Sequence, residues 1–399
     1  MSTPDPRGLQ TLAVHAGEGP DPATRASAPN LVMSTTFLID PDIAFSAEEL
    51  EPDAPFVYTR WGNPTVRQLE EKLAALEAAE ACIAFASGMA AISALFTEVL
   101  RLGDHLIMSD VAYAGASELV NSIVPRGGVE VSRVDLSDLD AVRAELRPET
   151  RLVYAETPAN PILRLVDIAG IARVTHDAGA KLAVDSTFAT PVATRPVELG
   201  ADFVLHSLTK YIGGHGDAVG GALLGRDDDL VHIRRGAAIH MGGVLSPFNA
   251  WLILRGVATL PVRMRAHAEG AQAVAEFLEG RPGVTKVLYP GLPSHPQYDL
   301  ARRQMRNPAG VISFQAEDGP ERARRLSQKL ETVHYAVSLG HHRSLIVYLP
   351  TADLLKTSLR MTPAQEDAYR AYAGDGLFRL SVGLEDAADV IADLDRALG

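Results

Sequence analysis

The sequence predicts an α/β protein: a mainly parallel central sheet with helices on both faces, plus a smaller C-terminal α/β domain. Short apolar runs alternate with amphipathic stretches between residues 82 and 205, which is the pattern of a parallel sheet covered on both faces. Hydrophobic residues make up 47% of the 399 residues, enough to bury a large core. Near residues 256–261 the alternation gives way to a long helical stretch and proline-rich and glycine-rich loops, which indicates a second domain.

Residues 1–62 are rich in proline and small polar residues and show little periodicity. We expect an extended arm that contacts the neighbouring subunit, because it ends in the aromatic-rich run 56–61. Regular structure should begin at Asn63-Pro64, since asparagine is a good N-cap and proline suits the first helical position. A large domain over 63–258 and a C-terminal domain over 259–399 complete the predicted organisation.

The elements of the large domain follow from the apolar runs. Its predicted strands are 82–85, 105–108, 129–131, 152–154, 181–184 and 203–205, with helices over 138–146 and 167–178. The C-terminal domain should contain a helix over 262–278 and a strand over 311–314. Function in parallel sheets is found at the carboxyl ends of the strands, so we expect the functional residues directly after these runs.

Charge and cysteine content narrow the function classes. A formal net charge of −13 argues against general binding to nucleic acid or anionic membranes, which requires a positive surface. The single cysteine, Cys82, excludes an internal disulfide and a multi-cysteine metal site, and it is compatible with a reducing compartment. The N-terminus has no apolar signal-like segment, so we expect a cytoplasmic protein.

The segment 203–217 carries the most informative chemistry. An apolar strand ends, Ser207, Thr209 and Lys210 follow, and a glycine-rich turn comes next. Desolvation at the mouth of a sheet lowers the pKa of a lysine, which makes its neutral amine available to attack a carbonyl. The two hydroxyls could hold phosphate oxygens. Taken alone, the segment is explained equally well by a surface lysine after a strand.

Other strand ends add to this signal. Asp185 ends an apolar strand and could pair with a cationic ring nitrogen, although an isolated aspartate there is more often a helix N-cap. Gly88 and Met89 open a helix directly after a strand, where backbone amides suit a phosphate. Tyr113 could stack on a ring. A phosphate cradle, a strand-end acid and a lysine together predict a pyridoxal phosphate site.

Six stretches, in order, resemble the Cys/Met-metabolism family of pyridoxal phosphate enzymes, which includes the γ-lyases, cystathionine synthases and homoserine sulfhydrylases. The resemblance extends from about Thr11 to Leu398 and implies the aspartate aminotransferase-like fold type I. The stretches are Tyr58-Thr59-Arg60 with Asn63-Pro64-Thr65, Ala86-Ser87-Gly88-Met89-Ala90, Glu156-Thr157-Pro158-Ala159-Asn160-Pro161, Val184-Asp185-Ser186-Thr187-Phe188, Ser207-Leu208-Thr209-Lys210-Tyr211 and Phe378-Arg379-Leu380-Ser381-Val382-Gly383-Leu384-Glu385.

The resemblance implies roles around the cofactor. Lys210 becomes the Schiff-base lysine and proton shuttle, and Asp185 pairs with the pyridine nitrogen. Tyr58 and Arg60 reach the phosphate of the neighbouring subunit, so the family's active unit is a homodimer, usually paired into a homotetramer. The phosphate ligands implied within the chain are Gly88, Met89, Ser207 and Thr209.

On the substrate side, the resemblance implies that Arg379 clamps the carboxylate of an amino acid, a task suited to its planar fork. Tyr113 stacks on the cofactor ring and acts as acid or base at the leaving group. Ser338 and Asn160 lie near the carboxylate and the ring hydroxyl. No metal is implied.

The implied reaction is γ-elimination from a sulfur amino acid. Residues 241–247 and 338–340 most resemble methionine γ-lyase, which converts L-methionine to methanethiol, 2-oxobutanoate and ammonia. Gly115 stands where those enzymes usually have cysteine, and 341–350 replaces the usual histidine-rich element. A cystathionine γ-lyase or γ-synthase, or an O-acylhomoserine sulfhydrylase, is therefore the alternative. The run His341-His342-Arg343 could bind a polar or anionic group, but a solvated turn is favoured.

Competing motifs are incomplete. A dinucleotide site needs G-x-G-x-x-G, and Val219 occupies the last position of the nearest stretch. Ser207 and Lys210 match the S-x-x-K of serine acylases, but the partner motifs are absent from the sequence. The histidines lack metal-site spacing. A non-catalytic regulator that kept the fold would lose Lys210, Asp185 or Arg379, and all three are present.

Overall fold

The computed structural model describes residues 6–41, 43, 46–47 and 54–399, and two sheets organise them. Within this part of the chain the large sheet has seven strands in the order β1-β7-β6-β5-β4-β2-β3, and the small sheet has five in the order β10-β11-β12-β9-β8. The strands are β1 (Ala81–Phe85), β2 (His105–Ser109), β3 (Glu130–Val134), β4 (Thr150–Glu156), β5 (Lys181–Asp185), β6 (Phe203–Ser207), β7 (Gly221–Gly225), β8 (Val284–Leu288), β9 (Val311–Ala316), β10 (His334–Tyr335), β11 (Leu345–Pro350) and β12 (Gly376–Ser381).

Helices cover both faces of the large sheet and pack against the small one. They are α1 (Leu9–His15), α2 (Pro64–Glu77), α3 (Gly88–Val99), α4 (Ala114–Ser122), α5 (Leu139–Glu145), α6 (Ile168–Asp177), α7 (Thr190–Ala193), α8 (Asp227–Ile233), α9 (Pro247–Ala258), α10 (Leu260–Glu279), α11 (Tyr298–Gln304), α12 (Gly319–Lys329), α13 (Thr351–Thr357), α14 (Pro363–Ala373) and α15 (Ala387–Leu398). None of these helices is both long and apolar enough to cross a membrane, over the residues described.

The large sheet confirms the predicted class. Strands β3, β2, β4, β5 and β6 run parallel, and buried apolar clusters lie on both faces of the sheet. Strand β7 was not predicted, and it is antiparallel to both of its neighbours, β1 and β6. Its sequence, Gly-Ala-Leu-Leu-Gly, begins and ends with glycine, which local propensity assigns to loops. Burial of all five residues between two strands overrides that propensity.

The helix predicted after Asn63 is confirmed. The Asn63 side chain accepts a hydrogen bond from the Thr65 amide at 2.9 Å, and its Nδ2 donates to the Val32 carbonyl at 3.0 Å. Helix α2 therefore begins at a side-chain cap that also fastens part of the preceding chain. The helices predicted over 138–146, 167–178 and 262–278 correspond to α5, α6 and α10.

The N-terminal segment contains α1, an element that the sequence did not predict. The Lys72 ammonium is fully buried beneath it and donates to the carbonyls of Ala13 and Val14 at 2.8 and 2.9 Å. Glu18 adds an ion pair at 2.7 Å. This part of the arm thus docks on its own chain. Of the predicted arm, residues 1–5, 42, 44–45 and 48–53 lie outside the described residues, and the domain boundaries at 62 and 258 stay predictions.

Candidate active site

A cavity of about 540 Å³ lies at the carboxyl ends of β4, β5 and β6. Residues of the small sheet line its opposite side. Its position is the one expected for function in a parallel sheet. Ten of the twelve site residues predicted from the sequence line it: Gly88, Met89, Tyr113, Asn160, Asp185, Ser207, Thr209, Lys210, Ser338 and Arg379.

The start of α3 forms one side of the cavity. The Ser87 side chain caps the helix by accepting from the Ala90 amide at 3.1 Å. A Cβ atom added at Gly88 would lie 3.2 Å from the Ser207 Cβ, so glycine lets this turn approach the end of β6 closely. The Thr209 hydroxyl pairs with both the amide and the carbonyl of Gly220 at 3.2 Å. Amides and hydroxyls at a helix start suit a phosphate.

Asp185 has the environment that a cationic partner would complete. It is 8% exposed, accepts from the Thr187 amide at 3.0 Å and receives the Tyr154 hydroxyl at 3.3 Å. Over the described residues, no cationic group lies within ion-pair distance of it. Burial raises the pKa of this carboxyl. It does not cap a helix, because α7 begins five residues later at Thr190. A protonated pyridine nitrogen would supply the missing charge.

Lys210 lies half-buried in the cavity. Burial, and secondarily the charge of Arg379, lowers the pKa of its ammonium to about 8. Its Nζ donates to the Ser338 hydroxyl at 2.8 Å. The neutral amine that carbonyl addition requires is therefore more populated near neutral pH than in an ordinary lysine, although the ammonium remains the main form.

Arg379 is held by neutral acceptors. Its Nη1 donates to the Asn160 Oδ1 and its Nη2 to the Ser338 carbonyl, both at 3.0 Å. Its Nε is buried without a hydrogen-bond partner, and no carboxylate lies within 4 Å among the described side chains. The guanidinium is thus oriented but not neutralised, which leaves its charge for a bound carboxylate.

Tyr113 precedes α4, and its ring folds over Gly115. A Cβ atom added at Gly115 would lie 2.7 Å from the Tyr113 Cε1 and 2.9 Å from the Met89 Sδ. A cysteine at this position could not be accommodated without moving one of these side chains. The absence of a side chain at Gly115 therefore allows the Tyr113 ring to adopt this conformation.

Glu156 is a site residue that the sequence analysis did not single out. It ends β4 directly beside Asp185 in the sheet register and is 4% exposed. It accepts from the Tyr113 amide at 2.6 Å and the Asn160 amide at 2.8 Å. Burial, and then the charge of Asp185, raises the pKa of Glu156 to about 8. The missed signal was an acid closing an apolar strand, the same signal that identified Asp185.

The two sides of the cavity differ in chemistry. We call Gly88, Asp185, Ser207, Thr209 and Lys210 the cofactor wall. The outer wall comprises aliphatic side chains contributed by β11, α13 and the loops that follow β10 and α13: Val337, Val347, Leu349, Leu354 and Leu359.

The outer wall offers little charge. In the described part of the lining, the cations are those of Lys210 and Arg379, and the acids are Asp185 and Glu156. The buried His206 pairs with Glu77 at 3.1 Å on the far side.

Tyr58 and Arg60 do not reach this cavity in their own chain. The Tyr58 side chain is 40% exposed, and Arg60 lies 5.5 Å from its ring centroid. The Arg60 guanidinium donates to the Ile239 carbonyl at 2.6 Å. Their predicted role in a neighbouring subunit stays a prediction.

The turn after Gly340 is only partly solvated. His341 is half-buried, and its Nε2 lies 3.2 Å from the Ser338 hydroxyl, so this residue also contacts the cavity lining. Arg343 is exposed, as a solvated turn requires.

Comparison with known proteins identifies the family to which the chain is similar. The family profile described as Cys/Met metabolism PLP-dependent enzyme matches residues 10–399. A cystathionine gamma-synthase of Mycobacterium tuberculosis is 45% identical over 98% of this chain and 97% of that protein. An L-methionine gamma-lyase of Porphyromonas gingivalis is 40% identical over 98% and 97%. The crystal structure of metB from Corynebacterium glutamicum superposes with a TM-score of 0.88, at 38% identity and 99% coverage of both chains. The architecture is consistent with fold type I.

Proposed function

The chain belongs to the Cys/Met metabolism family of pyridoxal phosphate-dependent enzymes, and from this premise we propose that it eliminates a neutral thioether substituent from the γ-carbon of an amino acid. The reaction would resemble that of methionine γ-lyase, releasing methanethiol, 2-oxobutanoate and ammonia from L-methionine. The observation that supports this choice is the aliphatic outer wall. A methylthio group is apolar, whereas an acyl carboxylate or a second amino-acid moiety would need charged partners there.

The residues of the cofactor wall fit pyridoxal phosphate. When bound, the cofactor supplies an electron sink for charge that develops on the substrate. Asp185 would hold a proton on the ring nitrogen, and the start of α3 with Ser207 and Thr209 would hold the phosphate. Lys210 would carry the covalent link. The buried, unpaired carboxylate of Asp185 is the feature that most calls for such a partner.

The remaining residues would bind the substrate and move protons. Arg379 would hold the substrate carboxylate through its free Nε and the outer edges of its fork. Lys210, whose pKa is about 8, would take the proton from the α-carbon through Nζ. Tyr113 would stack on the ring and donate a proton to the departing sulfur. The outer wall would enclose the alkyl group and exclude water.

Replacement at the γ-carbon is the second candidate. Two observations favour it: the 45% identity to a cystathionine gamma-synthase, and the glycine at 115. In this case the enzyme would act as a cystathionine γ-synthase or an O-acylhomoserine sulfhydrylase, and an incoming thiol would occupy the space beside the outer wall. A cystathionine γ-lyase is the related elimination.

A substrate panel separates these reactions. Purified holoenzyme is given methionine, cystathionine, homocysteine, cysteine or O-acylhomoserines, each with and without added thiol, and 2-oxo acid and thioether products are quantified. We expect methionine to yield 2-oxo acid without thiol, at a higher kcat/KM than O-succinylhomoserine. Thioether formation from O-succinylhomoserine and cysteine that outpaces methionine cleavage would instead establish the replacement reaction.

We also propose a cytoplasmic homotetramer, built from dimers whose sites are shared through Tyr58 and Arg60. Arg60→Ala and Lys210→Ala variants, each poorly active alone, should recover activity when mixed subunits are refolded together, because one site of each hybrid dimer is intact. Absence of recovery in hybrids verified by mass spectrometry would contradict the shared site.

A further inference from the structure

Three groups form a continuous hydrogen-bonded chain on one side of Lys210. Its Nζ lies 2.8 Å from the Ser338 Oγ, which lies 3.2 Å from the His341 Nε2. We propose that His341 is a positioning residue that orients the Ser338 hydroxyl and carries the Lys210 proton, through that hydroxyl, to solvent. This inference rests on the proposed function only in taking Lys210 as the residue that moves the substrate proton.

Ser338 is held in an unusual backbone conformation. Its φ is 90°, in the region that favours glycine, which costs energy for a residue with a Cβ atom. Its carbonyl accepts from Arg379, and the Gly340 amide donates to the Ser381 hydroxyl at 2.9 Å. A Cβ atom at Gly340 would lie 2.6 Å from the Tyr211 amide nitrogen, so the turn presses against the backbone that follows Lys210. These contacts fix the main chain of Ser338. The direction of its hydroxyl proton then depends on which hydrogen-bond acceptor lies nearby.

The position of the His341 ring is fixed by its neighbours. A Cβ atom added at Gly216, where φ is 72°, would lie 2.7 Å from the His341 Nδ1, so glycine makes room for the ring. The His342 amide donates to the Gly214 carbonyl at 2.9 Å, and the His342 carbonyl accepts from Leu384 at 2.8 Å. These bonds hold the turn on both sides. The ring is thereby kept with Nε2 towards Ser338.

The donors and acceptors fix the direction of the chain. A lysine ammonium can only donate, so the Ser338 oxygen accepts from it and its own proton must go elsewhere. A neutral histidine protonated at Nδ1 offers Nε2 as the acceptor. The groups that act on His341 are Lys210, His342 and Asp217. Burial first, and then the charges of Lys210 and His342, lowers the pKa of His341, while Asp217 opposes this. His341 is thus mainly neutral at pH 7 and able to accept.

Proton transfer along the chain balances without another reactant. An N–H bond of the Lys210 ammonium breaks as an O–H bond forms on Ser338. The original Ser338 O–H bond breaks as an N–H bond forms on His341 Nε2. The products are a neutral amine, an unchanged hydroxyl and an imidazolium. Since His341 is half-exposed, the imidazolium can release its proton to water.

The first test measures Lys210 itself in the cofactor-free full-length protein. Labelling of its amine by an acylating reagent is followed against pH by peptide mass spectrometry. In His341→Phe the hydroxyl loses its acceptor, the ammonium loses part of its stabilisation, and labelling at pH 7 should rise about two- to fourfold. His341→Gln keeps an acceptor oxygen and should label at the wild-type rate.

The second test measures proton exit in the holoenzyme. L-Alanine, which has no γ-substituent to lose, is incubated in D₂O, and deuterium at its α-carbon is measured. Both His341→Phe and His341→Gln should slow this exchange, because neither side chain takes up a proton. If His341→Gln labels like wild type but exchanges deuterium slowly, His341 transfers a proton. A purely structural role would make the two readouts change together.

His342→Gln and His342→Phe are the matched controls, because they alter the adjacent ring on the same turn. Because His342 acts on His341 only through its charge and does not touch Ser338, they should change labelling and exchange far less than the His341 variants do. The inference is overturned if both His341 variants exchange deuterium at the wild-type rate, or if the His342 variants change both readouts as strongly. Failure of methionine cleavage in the substrate panel with these effects intact would reject the proposed substrate but not this role.

Discussion

The cofactor wall and the outer wall enclose one cavity but are built in different ways. The cofactor wall stands on the ends of parallel strands and the start of α3, where Asp185, Thr209 and Lys210 each make hydrogen bonds to neighbouring groups. The outer wall consists of aliphatic side chains on β11, α13 and neighbouring loops. Under the proposed function, the ends of the large sheet would hold the reacting groups, and the outer wall would contact the group that is removed.

The largest effect should come from the cofactor wall. Lys210→Ala removes both the covalent link and the proton carrier, so turnover should fall by at least about 10³-fold. Borohydride reduction followed by peptide mapping should lose its adduct at this position. Lys181→Ala is the control, because Lys181 begins β5 at the end remote from Asp185 and the cavity. This variant should keep both turnover and the adduct at Lys210. Multiple turnover by Lys210→Ala would remove the distinction between the two walls.

Arg379 lies between the walls, and its loss should be the next largest. Arg379→Ala should weaken binding of amino-acid substrates and of simple carboxylate inhibitors by about 2–5 kcal/mol, the range for truncating a partner of a buried charge pair. Equilibrium binding to the holoenzyme, followed by its visible spectrum, measures this. Arg370→Ala, which breaks an exposed pair with Glu366, is the control. Unchanged affinity would move the carboxylate site elsewhere.

The outer wall can be tested by giving it a charge. Leu354→Lys should shift the ratio of kcat/KM values from methionine towards O-succinylhomoserine by about 10- to 200-fold, the scale expected for one pocket contact. Ala352→Lys places the same side chain on the exposed face of α13 and should leave the ratio alone. Equal ratios in the two variants would mean that this wall does not contact the γ-substituent.

A smaller effect is expected at Gly115, which lies against the ring of Tyr113, a residue of the cavity lining outside both walls. Gly115→Ala introduces a methyl group 2.7 Å from the Tyr113 ring, so the ring must move at a cost of about 1–3 kcal/mol. We expect kcat to fall severalfold, with a smaller loss of cofactor affinity because the displaced ring is also the one proposed to stack on the cofactor. Gly280→Ala, where the added atom would have its nearest neighbour at 3.9 Å, is the control. A wild-type kcat in Gly115→Ala would mean that the tyrosine position is not critical.

The last effect is one on stability rather than on activity, and it should appear as a pH dependence of the free energy of unfolding. The pKa of Glu156 is raised from 4.5 to about 8, so between these values the folded protein holds a proton that the unfolded chain has released. This contribution makes the protein less stable as the pH rises through that window. Urea unfolding at pH 5 and pH 8 should differ less in Glu156→Gln than in wild type. The exposed Glu149→Gln should retain the wild-type difference.

The sequence predicted the cofactor wall better than the rest because its signals are local. A strand end, a helix start and a lysine within a few residues of each other are visible without tertiary structure. Strand β7 was missed because its terminal glycines read as a loop, and only pairing with β1 and β6 makes it a strand. Helix α1 depends on Lys72, which lies 57 or more residues away along the chain from that helix.

The upper part of the cavity depends on distant contacts in the same way. The contact of His341 with the cavity lining could not be predicted from its sequence neighbours. It depends on Gly216, more than a hundred residues earlier, which makes room for the His341 ring. The aliphatic outer wall is assembled from β11 and α13, whose side chains face the cavity only once the small sheet is in place. Glu156 could have been found, since it closes a strand beside Asp185.

Ser338 contacts both of the cations that line the cavity. Its carbonyl accepts from Arg379, and its hydroxyl accepts from Lys210. One residue therefore sets the spacing between the ammonium and the guanidinium, and a substitution at position 338 should disturb the geometry of both at once.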